Sequence, residues 1–229
     1  MRINKLLSNF GFCSRRETNR LIEENRITVN GEFCKPGQWV EKEDIILIDN
    51  KPILMKDKVY IALNKPEGIT CTAAKEVKDN IISFMNYPEY IFPVGRLDKE
   101  SQGLILMTND GELANKILES ENKYEKEYLV TVNKPFDDFF MKGMSEGVEI
   151  CGTRTRPCKI SRVSEDTFRI ILTQGLNKQI RRMTKAFGYT VLYLQRIRIV
   201  NIEIQGIDIG KWRNLTEKEV MELRDITKA

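Results

Sequence analysis

Apolar side chains at Ile3, Leu6, Leu7 and Phe10 recur at helical spacing, and Gly11 falls where a left-handed residue closes a helix. Ser14 and Glu17 have capping-box spacing, and Leu21 and Ile22 supply a buried stripe, so a second helix is predicted from residue 14. Residues 27–29 and 32–34 flank Asn30-Gly31, a tight-hairpin signal, and 45–48 read as another strand. Beyond a polar, proline-containing stretch the chain mixes short apolar runs with helical periods. Strands are predicted at 59–63, 104–107, 128–132, 168–172 and 191–200, and helices at 112–118, 137–144 and 179–187. The order lacks a strict βαβ rhythm, so the class expected is α+β with a mainly antiparallel mixed sheet. Three segments follow: a small N-terminal unit (1–50), a linker (51–58) and a larger domain (59–229).

Composition narrows the chemistry. The 229 residues include no histidine, which removes imidazole bases, Ser-His-Asp and Cys-His catalysis and His-containing metal sites. Cysteines 13, 34, 71, 151 and 158 form no Cys-x-x-Cys pair and are expected as small buried hydrophobes in a reducing cytoplasm. No apolar run reaches the roughly 18 residues of a membrane helix, and residues 1–5 lack a secretory signal's pattern. A cytoplasmic protein without membrane, metal or cofactor partners is expected.

The net charge of +4 conceals segregation. Residues 1–20 hold five basic side chains against one acidic, and residues 151–213 hold thirteen against four. Two basic zones on an acidic background suit an extended polyanion. Arg15 and Arg16 stand in the first turn of the second helix, where its dipole disfavours cations unless a phosphate faces them. Lys178, Arg181, Arg182 and Lys185 repeat at three- or four-residue spacing and repel one another unless an anion or a carboxylate intervenes. Period two predicts Arg196 and Arg198 on one strand face, extending the basic surface.

The run Arg2-x-Asn4-Lys5-Leu6, Gly11-x-Cys13-Ser14-Arg15-Arg16-Glu17, Leu21-Ile22 and Val29-Asn30-Gly31 resembles the αL (S4-like) RNA-binding domain. That resemblance implies RNA contact through Arg15 and Arg16. Further on, Gly95-Arg96-Leu97-Asp98 with Ser101-x-Gly103-Leu104 resembles the catalytic motif of pseudouridine synthases of the RsuA branch. Leu63-Asn64-Lys65-Pro66-x-Gly68, Lys126-x-Tyr128 and Gln174-Gly175-x-Asn177-x-Gln179-Ile180-Arg181-Arg182-Met183 match in the same order.

The resemblance implies that Asp98 is the essential aspartate, that Tyr128 stacks on the target base and that Arg181 pairs with the aspartate. It places Ile180 beneath the tyrosine and Arg96 against the extruded nucleotide. Lys126 is expected as a structural or phosphate-contacting residue, and Arg182 and Lys185 as phosphate contacts. A solvated loop with Asp98 paired to Lys99 is the competing account of 95–103.

The chemistry implied is an isomerisation: the N1–C1′ bond of uridine breaks, the uracil turns, and C5 bonds to C1′. It needs no cofactor. A carboxylate can serve as nucleophile at C1′ or as base at C2′. A dry carboxylate favours its protonated form unless a cation faces it, and a flipped base needs a replacement stack. The resemblance implies a monomer acting on ribosomal RNA, large-subunit RNA or its assembly precursor first. Small-subunit or transfer RNA, or a non-catalytic assembly role, are the alternatives.

Overall fold

The computed structural model describes residues 1–41, 43–53, 56–74 and 76–228, with the backbone alone of Ser120. The N-terminal unit opens with α1 (Ile3–Asn9) and α2 (Arg15–Glu23), followed by β1 (Ile27–Val29), β2 (Glu32–Phe33), β3 (Ile46–Ile48) and β4 (Lys51–Pro52). Asn30 and Gly31 both take positive φ, 52° and 87°, so the two-residue turn closes β1 onto β2 as its residues dictate. At α2 half of the capping box forms. Ser14 Oγ accepts from the Glu17 amide at 3.1 Å, whereas the Glu17 carboxylate turns to Arg20. Ile3, Leu7, Leu21, Ile22, Ile27 and Ile48 bury one another in a core of their own. Lys51–Pro52 pairs with β3, so this sheet runs past the boundary expected at residue 50. Within the expected linker, Leu54 and Met55 lie outside the described residues.

The larger unit is built on β5 (Tyr60–Lys65), β6 (Phe92–Val94), β7 (Gln102–Thr108), β8 (Lys126–Val132), β11 (Lys159–Arg162), β12 (Thr167–Leu172), β13 (Val191–Ile199), β14 (Ile202–Glu203) and β15 (Trp212–Asn214). A small hairpin, β9 (Glu149–Ile150) and β10 (Thr153–Arg154), stands apart. The helices are α3 (Ile81–Met85), α4 (Gly111–Leu118), α5 (Asp138–Ser145), α6 (Gln179–Ala186) and α7 (Glu217–Thr227). The large sheet runs β11-β12-β8-β13-β7-β5-β15, with β14 on β13 and β6 on β7. Its pairings are antiparallel except where β7 meets β13 in parallel, giving the α+β architecture with a mainly antiparallel mixed sheet.

Alternation along the strands divides the core. Ile61, Leu63, Ile105 and Met107 enter one cluster with Tyr128, Phe168, Ile180 and Met183. Ala62, Leu104 and Leu106 enter the other with Leu113, Ile117 and Leu223. The parallel crossing of β7 and β13 depends on Gly103. Its φ is +108°, and a Cβ there would lie 2.3 Å from the Arg196 carbonyl oxygen and 2.6 Å from its amide. Only glycine permits the two backbones to approach this closely.

Candidate active site

The loop after β6 carries Asp98. Leu97 is buried and its amide donates to the Cys71 thiol at 3.4 Å, while the Ser101 amide donates to the Asp98 carbonyl at 3.0 Å. Lys99 is turned away from Asp98 to Asp79 at 3.5 Å, which removes the competing Asp98–Lys99 pairing. The loop edges a cavity of about 760 Å³. Asp98, Tyr128, Arg181, Arg96, Ile180 and Lys126 all line it, although they come from a loop, a strand and a helix far apart in the chain. Arg15, Arg16, Arg182 and Lys185 lie outside its lining.

Tyr128 is 9% exposed, its ring among the core residues, with Ile180 in the same cluster. The expected Arg181–Asp98 ion pair is not formed. Arg181 Nη2 donates to the Glu100 carbonyl at 2.8 Å and the Ser101 hydroxyl at 3.3 Å, and Nη1 donates to the Val191 carbonyl at 3.2 Å. The guanidinium therefore ties the end of the Asp98 loop to α6 and β13. Its two Nη atoms are engaged without a carboxylate, while its Nε is buried and has no hydrogen-bond partner.

Besides Arg181, two of the crowded cations at α6 find separate acceptors. Lys178 pairs with Glu100 at 2.9 Å, and Arg182 donates to Asn177 Oδ1 at 2.9 Å and to Cys151 Sγ at 2.8 Å. Cys151 departs from the expectation of burial. It is exposed because the two-residue turn between β9 and β10 holds it at φ 51°. Cys158 is tucked in, and burial pushes its thiol up to about 11.

The burial of two basic residues, Lys65 outside the cavity lining and Arg196 within it, is not predicted from the sequence. Lys65 is fully buried with Nζ donating to the Pro66 carbonyl at 2.8 Å. Burial holds its ammonium below the usual lysine value, opposed by the nearby carboxylates of Glu67 and Asp98. Arg196 is 2% exposed, not part of a basic surface, and lines the Asp98 cavity. The cause is a β-bulge: Arg196 opposes Tyr128 while Arg198 opposes the adjacent Glu127, so the two arginines take opposite faces despite their period-two spacing. The signal for Lys65 was present, since a lysine ending the apolar run Tyr60-Ile61-Ala62-Leu63 is unusual in a buried strand. The bulge left no such mark. Among the described residues, no group of three His, Cys, Asp or Glu side chains is gathered as a metal site.

This fold and this loop-centred cavity are those of a pseudouridine synthase. The chain belongs to the RNA pseudouridylate synthase family, whose model matches residues 59–186, and the S4 domain matches residues 1–46. It is 49% identical to the dual-specificity RNA pseudouridine synthase RluF of Shigella flexneri over 97% of this chain and 78% of that protein. The ribosomal large subunit pseudouridine synthase B of Bacillus subtilis is 31% identical over 97% of this chain and 95% of its own length. A solved pseudouridylate synthase superposes with a TM-score of 0.72 at 28% identity, covering 97% of this chain and 99% of that one. The branch resemblance carried by the motifs is therefore the correct one. The protein is an RNA-modifying isomerase.

Proposed function

We propose that this chain converts uridine in ribosomal RNA, large-subunit RNA first, to pseudouridine, with Asp98 as the carboxylate that acts at the sugar. The observation that carries this reading is the convergence of Asp98, Tyr128 and Arg181 on one cavity. Of the two carboxylates in its lining, Glu119 is exposed at the end of α4, whereas Asp98 is half-buried next to the buried Leu97. Tyr128 offers its ring to the flipped uracil, with Ile180 against it. Arg181 orders the Asp98 loop through Glu100 and Ser101. Arg96, exposed in the cavity lining, holds the extruded nucleotide. Arg182 and Lys185 contact phosphates outside the cavity, and Arg15 and Arg16 bring the small unit onto the RNA. The N-terminal unit, whose sheet runs on to Pro52, acts as RNA-binding domain, and residues 59–229 as catalytic domain, of a monomer working in the cytoplasm. Among the described residues no helix is long and apolar enough to cross a membrane.

Relatives named for the large ribosomal subunit and for dual specificity make a second RNA class the alternative reading. Both are tested by mapping pseudouridines in ribosomal and transfer RNA from cells lacking the gene, then adding back the purified protein. Asp98→Asn is expected to lower the single-turnover rate by at least about 1,000-fold with RNA affinity nearly unchanged. Substantial turnover by that variant would remove Asp98 from the chemistry.

A further inference from the structure

We propose that Lys126 and Arg196 form a cationic cradle that holds the detached uracil as its anion while it turns. The proposal rests on the reading of the cavity as the uridine site. Lys126 lies two residues before Tyr128 on β8, hence on the same face, and Arg196 sits directly across from Tyr128 on β13. Both line the cavity. Arg196 donates Nε to the Leu104 carbonyl at 2.7 Å, but its Nη2 is buried with no hydrogen-bond partner. Lys126 is half-buried, and among the described residues its ammonium has no hydrogen-bond or ion-pair partner. Burial, with Arg196 adding repulsion, brings its pKa down to about 8. Two adjacent cations without a carboxylate between them are costly unless an anion visits the space they face.

The reaction itself makes such an anion. When the N1–C1′ bond breaks, its electron pair stays with N1, and the charge spreads over O2 and O4. After the turn, C5 bonds to C1′ using an electron pair of the ring, the proton leaves C5, and N1 gains one. Atoms and charge balance without a co-reactant, whichever way the carboxylate acts. A base that has let go of its sugar is held by nothing covalent, so fixed positive charge beside the stacking ring keeps it in place and stabilises it. The alternative anion is a backbone phosphate of the same RNA. The position of Arg196, 2% exposed and opposite the tyrosine, favours the base. The exposed cations Arg96 and Lys99 at the loop are the better placed for phosphates.

The test uses the full chain and Lys126→Met, because Arg196 also holds a backbone carbonyl. The substrate is a transcript of the large-subunit RNA region, made with uridine or with 5-fluorouridine, whose base anion is the more stable. Single-turnover loss of the original nucleoside is followed by nuclease digestion and mass spectrometry. Expected is a fall on the order of 100-fold on uridine RNA, a clearly smaller fall on the fluorinated RNA, and RNA affinity within about twofold of wild type. Lys126→Arg, which keeps the charge, should recover at least roughly a tenth of the wild-type rate. Equal falls on both RNAs, an affinity loss matching the rate loss, or an unchanged rate overturns the cradle. A wild-type chain that converts neither RNA, or an Asp98→Asn variant that converts both, would instead overturn the assignment of the cavity.

Discussion

The two faces of β8 and β13 handle positive charge in opposite ways. On the face turned from the cavity, Arg198 donates to Glu127 at 3.0 Å and to Glu125 at 3.0 Å, and the same carboxylates reach Arg169 and Lys159. On the cavity face, Lys126 and Arg196 stand beside Tyr128 with no carboxylate bonded to either among the described residues. One face is neutralised and contributes to stability. The other is left charged at a cost, and the cost makes sense only where substrate brings the missing negative charge. A single bulge separates the two arginines that would otherwise share a face.

Several substitutions break or sharpen that contrast. Gly103→Ala should be the most damaging, because the added methyl would strike the Arg196 backbone and force apart the crossing that seats it. A loss of about 3 kcal/mol or more is expected in urea unfolding, affecting both faces together. Arg198→Met leaves two carboxylates short of a partner and should cost about 1–2 kcal/mol by the same measurement, with little effect on turnover. Lys126→Met should cost no stability, and a small gain is expected, although turnover collapses.

Lys126 also sets a pH signature. The folded chain releases its proton near pH 8, while the unfolded chain keeps it to about 10.5. Between those values the unfolded state binds more protons, so this residue's destabilising contribution is full below pH 8 and fades as pH rises towards 10.5. The stability difference between wild type and Lys126→Met should shrink over that window. A constant difference would show that the ammonium is not strained. The smallest effect on folding belongs to Arg15→Ala with Arg16→Ala, since both side chains are exposed and unpaired among the described residues. RNA affinity should weaken, and the slope of log affinity against log salt should flatten by about 1–2.

Much of this was legible in the chain. The Asn30-Gly31 turn, the strands of the large sheet and the stripe of α6 follow from local chemistry and periodicity, and the site motifs stand in order. Other features depend on distant partners. Arg196 looked like a surface residue because a bulge leaves no trace in residue type, and period two reads straight through it. The family resemblance implies Arg181 as the partner of Asp98, but α6 places it against the Glu100 and Val191 carbonyls. Helix α7 was missed although Thr216 and Glu219 form a complete capping box, reinforced by Arg213 on the glutamate at 2.7 Å. Its apolar stripe is thin, with Leu223 its main buried hydrophobe, so periodicity alone did not reveal it.

The parallel seam at Gly103 and Arg196 has a consequence for synthesis of the protein. The aspartate loop is translated early, but the strand that floors its cavity begins only at Val191. A nascent chain that has not yet emerged that far holds its carboxylate with no bed for a nucleobase beside it. Activity therefore waits until the chain has emerged past β13, and a copy stopped before Val191 cannot act on the RNA around it.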